Sequence, residues 1–288
     1  MGEIDPPTPV VQRRRLRIEL RRARLDAGLT QEAVADAMEW SLSKLIRIEA
    51  GSVNISTNDL RMLLHKYQIE DAARTRDLVA LARAARERSW WSGYRDIIPP
   101  QFFQFLEYEA AASIIRNFEP LLVPGLLQTE DYAAAVARQW GDRSAADRSD
   151  SLVELRMRRQ DLLDRANPPL LFFILDEAVA RRVVGGKAVM HRQIRQLVDM
   201  ADRPNVTIEV ISFGVGIHPG MAGPFVIHEF PDAADDDVLY LESQGGVVRQ
   251  DSADEISSYR EAFEQLRKLS LGTDGSVAYL GKLAEEMI

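Results

Sequence analysis

The sequence predicts two domains, an all-α N-terminal domain of five helices and a larger mixed α/β domain. Three observations carry this. Over residues 11–88, apolar residues recur at helical spacing between cap and turn residues. From residue 107 onward, short apolar or alternating runs are interspersed with longer amphipathic stretches. The charge is also uneven. The chain carries −8 overall, yet residues 1–88 hold 16 Lys and Arg against 13 Asp and Glu, and the remainder holds 20 against 31. A length of 288 residues, at about 150 per domain, agrees with two.

Residues 1–10 are Pro-rich and read as a disordered tail. Residues 11–27 form the first helix, with Leu16, Leu20 and Ala23 on one face and Arg13, Arg14, Arg15, Arg17, Arg21 and Arg22 around the rest. Thr30 is a good N-cap for a second helix over 31–38, which buries Val34 and Ala35. Glu39-Trp40-Ser41 makes a tight turn. Ser41 caps a third helix over 42–50, Leu45 and Ile48 face inward, and Gly51 ends it. Helices over 57–67 (Leu60, Leu63, Leu64 and Tyr67 inward) and 71–88 (Leu78, Leu81 and Ala82 inward) complete the domain.

Helix, short turn, helix is the helix-turn-helix plan, in which the second helix enters the DNA major groove. Ala35 is small where the helices must cross closely. The stretch GLTQEAVADAMEWSLSKLIRIEAG, residues 28–51, resembles the phage-repressor-like (Cro/C1-like, XRE-type) family. That resemblance implies a repressor-like fold, a structural ion pair between Arg24 and Glu49, base-edge contacts from Leu42, Ser43 and Arg47, and a DNA-backbone role for Gln31. One departure is Glu39, where the family has Gly. Left-handed backbone there costs a non-Gly residue about 1 kcal/mol.

Five side chains at the third helix, Ser41, Leu42, Ser43, Lys44 and Arg47, can reach a groove. Arg47 suits a bidentate fork on guanine, Lys44 a base or a phosphate, and Leu42 a thymine methyl. Arg13, Arg14 and Arg15 belong to a basic run that reads either as a solvated face or as phosphate contacts adding salt-dependent affinity.

Residues 89–106 read as an aromatic-rich connector. Residues 89–108 hold seven of the chain's 21 aromatics, too many for a solvated spacer. The rings either dock the connector onto the second domain's core, or Trp90 and Trp91 couple the domains or close a pocket. The α/β domain, residues 107–288, reads as strands at 113–118, 170–175, 206–211, 225–230, 238–242 and 247–249. Its helices fall at 129–140, 149–166, 176–184, 187–201, 253–269 and 276–287, with a Gly/Pro loop at 212–224.

FEPLLVPGLLQTEDYAAAV, ILDEAVARRVVGGKAVMHRQIRQL, RPNVTIEVISFGVGIHPGMAGPF and VLYLES look like the C-terminal DUF5753 domain of actinobacterial regulators of the Scr1-like, antitoxin-like family. The resemblance implies a transcriptional regulator and a small DUF397-type protein partner. It assigns no activity to the C-terminal domain.

Enzyme signatures are poor. GVGIHPG at 214–220 has Pro219 at the third Gly position of G-x-G-x-x-G and leads into a strand. Gly186-Lys187 lacks the other P-loop residues, and neither G-x-S-x-G nor H-E-x-x-H occurs. His65, His191, His218 and His228 show no ligand spacing, and Asp235-Asp236-Asp237 is most simply a solvated loop. No metal or cofactor is expected. The chain has no cysteine, no apolar h-region at its start and no run of about 18 apolar residues, so a cytoplasmic protein without a membrane span is expected. The reading is of a non-enzymatic, sequence-specific DNA-binding regulator, a homodimer on double-stranded DNA with a pseudo-palindromic operator. Its second domain receives a small-molecule effector or a protein partner, the loop at 212–224 with His218 being the place for a pocket. The alternative is an antitoxin-like interaction module that mainly sequesters the small partner.

Overall fold

The computed structural model describes residues 9–51, 53–87, 89–140, 146–231, 237–243, 246–250 and 252–287. The chain divides into two compact units at Ser92 and Gly93.

The N-terminal unit is five helices, α1 (Pro9–Asp26), α2 (Gln31–Ala37), α3 (Leu42–Glu49), α4 (Thr57–Lys66) and α5 (Ala72–Ala84). Four begin at a side chain that accepts an otherwise orphaned backbone N–H. Thr30 accepts from Ala33, Ser41 from Lys44, Ser56 from Asp59 and Asp71 from Ala73. Their apolar stripes meet in one buried cluster that includes Leu16, Leu20, Val34, Ala35, Leu45, Ile48, Leu60, Leu63 and Leu64. Gly51, at φ 71°, ends α3.

Glu39 takes φ 55° in the turn between α2 and α3, the left-handed conformation its position demands. Glu39→Gly should therefore stabilise this unit by roughly 0.5–1 kcal/mol, seen as slower amide exchange along α2 and α3.

Two N-terminal expectations shift. Pro9 and Val10 belong to α1 rather than to a tail, because Pro is well placed in a first helical turn. The rest of the expected tail lies outside the described residues. Helix α5 stops at Ala84, well short of residue 88. There Arg13 Nη2 donates to Ala85 O at 3.3 Å, and Arg86 Nη2 donates to Ile55 O.

A 3-10 turn at Trp90–Tyr94 leads to α6 (Pro100–Ala111), β1 (Ile114–Glu119), α7 (Glu130–Trp140) and α8 (Ala146–Arg159). Then come β2 (Leu170–Asp176), α9 (Glu177–Arg181), α10 (Lys187–Ala201), β3 (Val206–Ile211), β4 (Phe225–Glu229), β5 (Val238–Ser243), β6 (Gly246–Gln250), α11 (Ala253–Leu269) and α12 (Gly272–Glu286). The sheet runs β3-β2-β1-β4-β5-β6. Strands β1, β2 and β3 are parallel, with Ile115 opposite Leu171 and Leu171 opposite Val206. The remaining pairs are antiparallel. This is a mixed α/β unit, as expected.

Ile256, Phe263 and Leu266 of α11 pack with Phe118, Ile174, Phe225, Ile227 and Leu239 of the sheet. Helix α12 closes the β3 edge. Val210 N–H donates to Ser276 Oγ at 2.8 Å, and Leu271 N–H donates to Val210 O at 2.9 Å.

The segment expected as a connector is divided. Residues 100–106 are the first half of α6, since Pro99-Pro100 starts a helix rather than breaking one. Phe102 stacks on Phe105 at 5.5 Å, and Phe105 meets Tyr240 at 4.6 Å and His228 at 5.1 Å. These rings dock α6 on the sheet. The expected helix over 149–166 ends instead at Arg159, and a 3-10 turn covers Gln160–Asp164. Asp235 and Asp236 lie outside the described residues. Asp237 accepts from Arg260.

Candidate nucleic-acid interface

Helix α3 is held by its inner face and open along its outer one. Leu45 and Ile48 are buried, whereas Ser41, Leu42, Ser43, Ile46, Arg47 and Ala50 are exposed. Four of these, Leu42, Ser43, Ile46 and Arg47, lie one helical turn apart in pairs, as the i and i+4 positions of one stripe do. The Ser41 hydroxyl is occupied in capping, at 3.2 Å from the Lys44 N–H. Among the described residues the Arg47 guanidinium has no partner, so its five donors are available. Lys44 differs. Its Nζ lies 3.2 Å from Asp59 Oδ2 and 3.8 Å from the centroid of the Trp40 ring.

The orientation of α3 is set by a buried polar cluster around Glu49. Arg24 Nε donates to Glu49 Oε1 at 2.8 Å, Gln31 Nε2 to Glu49 Oε2 at 2.8 Å, and Tyr67 Oη to Glu49 Oε1 at 3.1 Å. Arg24 Nη1 also donates to Leu29 O at 2.8 Å. Four helices are thereby tied to one carboxylate. Burial, then the charge of Glu49 and the bond to it, push the Tyr67 hydroxyl up, so it stays a donor. Gln31 was expected at the DNA backbone. One of its amide N–H groups is committed to Glu49, which leaves the second for any phosphate.

The basic run on α1 separates by position. Arg15 is exposed. Arg14 is half-buried, and Arg13 is half-buried with its Nη2 on the end of α5. A Cβ at Gly51 would sit 3.6 Å from Arg17 Cδ and 3.9 Å from Arg13 Cγ, so both stems pack beside the C-terminus of α3. Two residues escaped the sequence reading. Ile46 is 43% exposed on the open face of α3, and the i+4 step from Leu42 was the signal for it. Asp59 carried no sequence signal, because its contact spans 15 residues and two helices.

Elsewhere, Trp91 is buried and meets Trp90 edge-on at 5.4 Å. His218 is buried, with Nε2 3.4 Å from Asp176 Oδ2 and its ring edge-on to Phe118 at 5.9 Å. It anchors the loop at 212–224.

Residues 15–78 match a helix-turn-helix domain, and residues 102–282 match DUF5753, a domain of unknown function. The chain belongs to the DUF5753 family. No curated protein and no solved structure matches it. The helix-turn-helix match of this DUF5753 chain supports a role as a DNA-binding regulator, and no helix among its described residues is long and apolar enough to cross a membrane.

Within the DUF5753 unit, polar side chains gather at the carboxyl ends of the parallel strands, the end where open α/β sheets bind ligands. Asp176 caps α9, and Glu177 accepts from Phe213 N–H at 2.8 Å and from Arg181. Burial alone would raise the Glu177 carboxyl. The bonds from Phe213 N–H and Arg181 outweigh it and hold that carboxyl below the usual range. The adjoining loop turns apolar side chains outward, with Phe213 57%, Ile217 91% and Met221 67% exposed. Gly220 lies so close to Phe118 that a Cβ would fall 2.3 Å from the ring.

Proposed function

We propose that this protein is a sequence-specific DNA-binding transcriptional regulator that acts as a homodimer in the cytoplasm. In this reading α3 lies in the major groove of a pseudo-palindromic operator, and the DUF5753 unit dimerises and receives a ligand or protein signal. The observation that carries it is Arg47, a guanidinium without a partner among the described residues, on the open face of a helix fixed from behind by the Glu49 cluster. A fixed helix with a free planar donor is what reading a base edge needs. Leu42, Ser43 and Ile46 beside it supply small polar and methyl contacts.

Arg47→Ala should weaken binding to the preferred duplex by about 1–3 kcal/mol and relax preference at one base position, measured by titrating the wild-type site and its single-base variants. Unchanged affinity and unchanged base preference would count against α3 as the reading element.

A second reading, an antitoxin-like module whose main task is to hold a small DUF397-type partner, is favoured by the exposed Phe213, Ile217 and Met221 on a pinned loop. Exposed apolar clusters of this kind mark protein contacts. Tight partner binding without sequence-selective DNA binding would favour it over the first.

A further inference from the structure

We propose that Asp59 is a positioning residue for Lys44, and that it thereby limits how strongly the protein grips DNA of arbitrary sequence. This rests on the DNA-binding reading above. Lys44 leaves the first turn of α3, yet its ammonium is already engaged twice, 3.2 Å from Asp59 Oδ2 and 3.8 Å from the Trp40 ring centroid.

Both partners are themselves fixed. Asp59 sits in the first turn of α4, where its backbone N–H donates to Ser56 Oγ at 3.0 Å. Trp40 is half-buried against the core of the unit, and its backbone N–H donates to Ala35 O at 2.9 Å. The side chains of Lys44 and Asp59 are 41% and 32% exposed, so the bridge lies at the surface beside Ser41 and Ser43.

A lysine head on its flexible stem ordinarily sweeps a wide volume and takes any phosphate within reach. This one is pinned between a ring face and a carboxylate. Reaching a phosphate would cost it both contacts, and the carboxylate cancels most of the charge it would bring to counterion release. Lys44 therefore contributes a fixed donor direction on α3 more than a mobile positive charge. Affinity for arbitrary duplex, which depends on such charges, is held down relative to affinity for a matched site.

The test uses the full-length protein and a duplex of random sequence, titrated over a range of salt concentrations. Asp59→Asn should tighten binding about fivefold at moderate salt and steepen the slope of log affinity against log salt by about one. With Lys44→Gln already present, the same Asp59→Asn change should add no further steepening. Asp59→Ser, which suits a first helical turn, should repeat the gain, and thermal unfolding shows that each variant is folded.

Equal slopes for wild type and Asp59→Asn would overturn the proposal. So would equal steepening with and without Lys44, since Asp59 would then act on phosphates by itself. A wild-type affinity with no salt dependence at all would remove the DNA-binding reading, and this proposal with it.

Discussion

Glu49→Ala lowers the stability of the N-terminal unit by about 3–5 kcal/mol, the cost of breaking a buried pair from one side. Glu49 is 5% exposed, and its carboxylate accepts from Arg24, Gln31 and Tyr67. Its removal strands a buried guanidinium, an amide N–H and a phenol together. The guanidinium is the worst of the three, because a buried charge left with the Leu29 carbonyl but no counter-charge has little to offset its desolvation. Glu49→Gln falls between, since an amide oxygen still accepts while the charge is lost. Hydrogen exchange of the intact protein separates the units. Amides of α1 to α4 should exchange much faster in Glu49→Ala, and those of the β-sheet should not. DNA affinity should fall too, because α3 loses the anchor that sets its angle.

Arg159→Leu should cost the DUF5753 unit a similar amount, about 3–5 kcal/mol. Arg159 Nε and Nη2 donate to Glu109 Oε1 and Oε2 at 2.9 and 2.7 Å, a bidentate pair with 8% and 6% of its side chains exposed. The rings of Phe102 and Phe105 each sit 5.3 Å from the guanidinium. Its Nη1 lies 2.8 Å from where a Cβ on Gly125 would stand. The single change leaves Glu109, on the buried face of α6, without its ion-pair partner. The double change Arg159→Leu, Glu109→Leu should recover most of the loss, since an apolar pair carries no desolvation cost. Denaturant unfolding followed by near-ultraviolet circular dichroism would read both, the aromatic residues of α6 being the reporters.

The two halves were unequally legible. Caps and periodicity announce themselves locally, so Thr30, Ser41, the Leu45 and Ile48 face, and Gly51 placed α2 and α3 to within a residue. Helices α10 and α11 and strand β3 likewise begin and end where their patterns do. Helix α6 was hidden, because a Pro-Pro step reads as a breaker until the helix is seen to start on it. The strand order, with β4 inserted against β1, comes from pairings more than 100 residues apart that no local period encodes. The same division holds at the candidate interface. Arg24 with Glu49 was readable from resemblance, and Arg47 from its place on the helix. The Gln31 and Tyr67 bonds to Glu49, and the hold of Asp59 and Trp40 on Lys44, exist only once α4 packs beside α3.

Purified full-length protein, incubated with fragments of its own genome at moderate salt and sequenced after capture, tests the central claim most directly. The account predicts enrichment of one short motif, repeated in inverted orientation with half-sites about 34 Å apart or a multiple of that. In Arg47→Ala the motif should lose its preference at one base of each half. Capture of fragments with no shared motif, in proportion to their length alone, would contradict it.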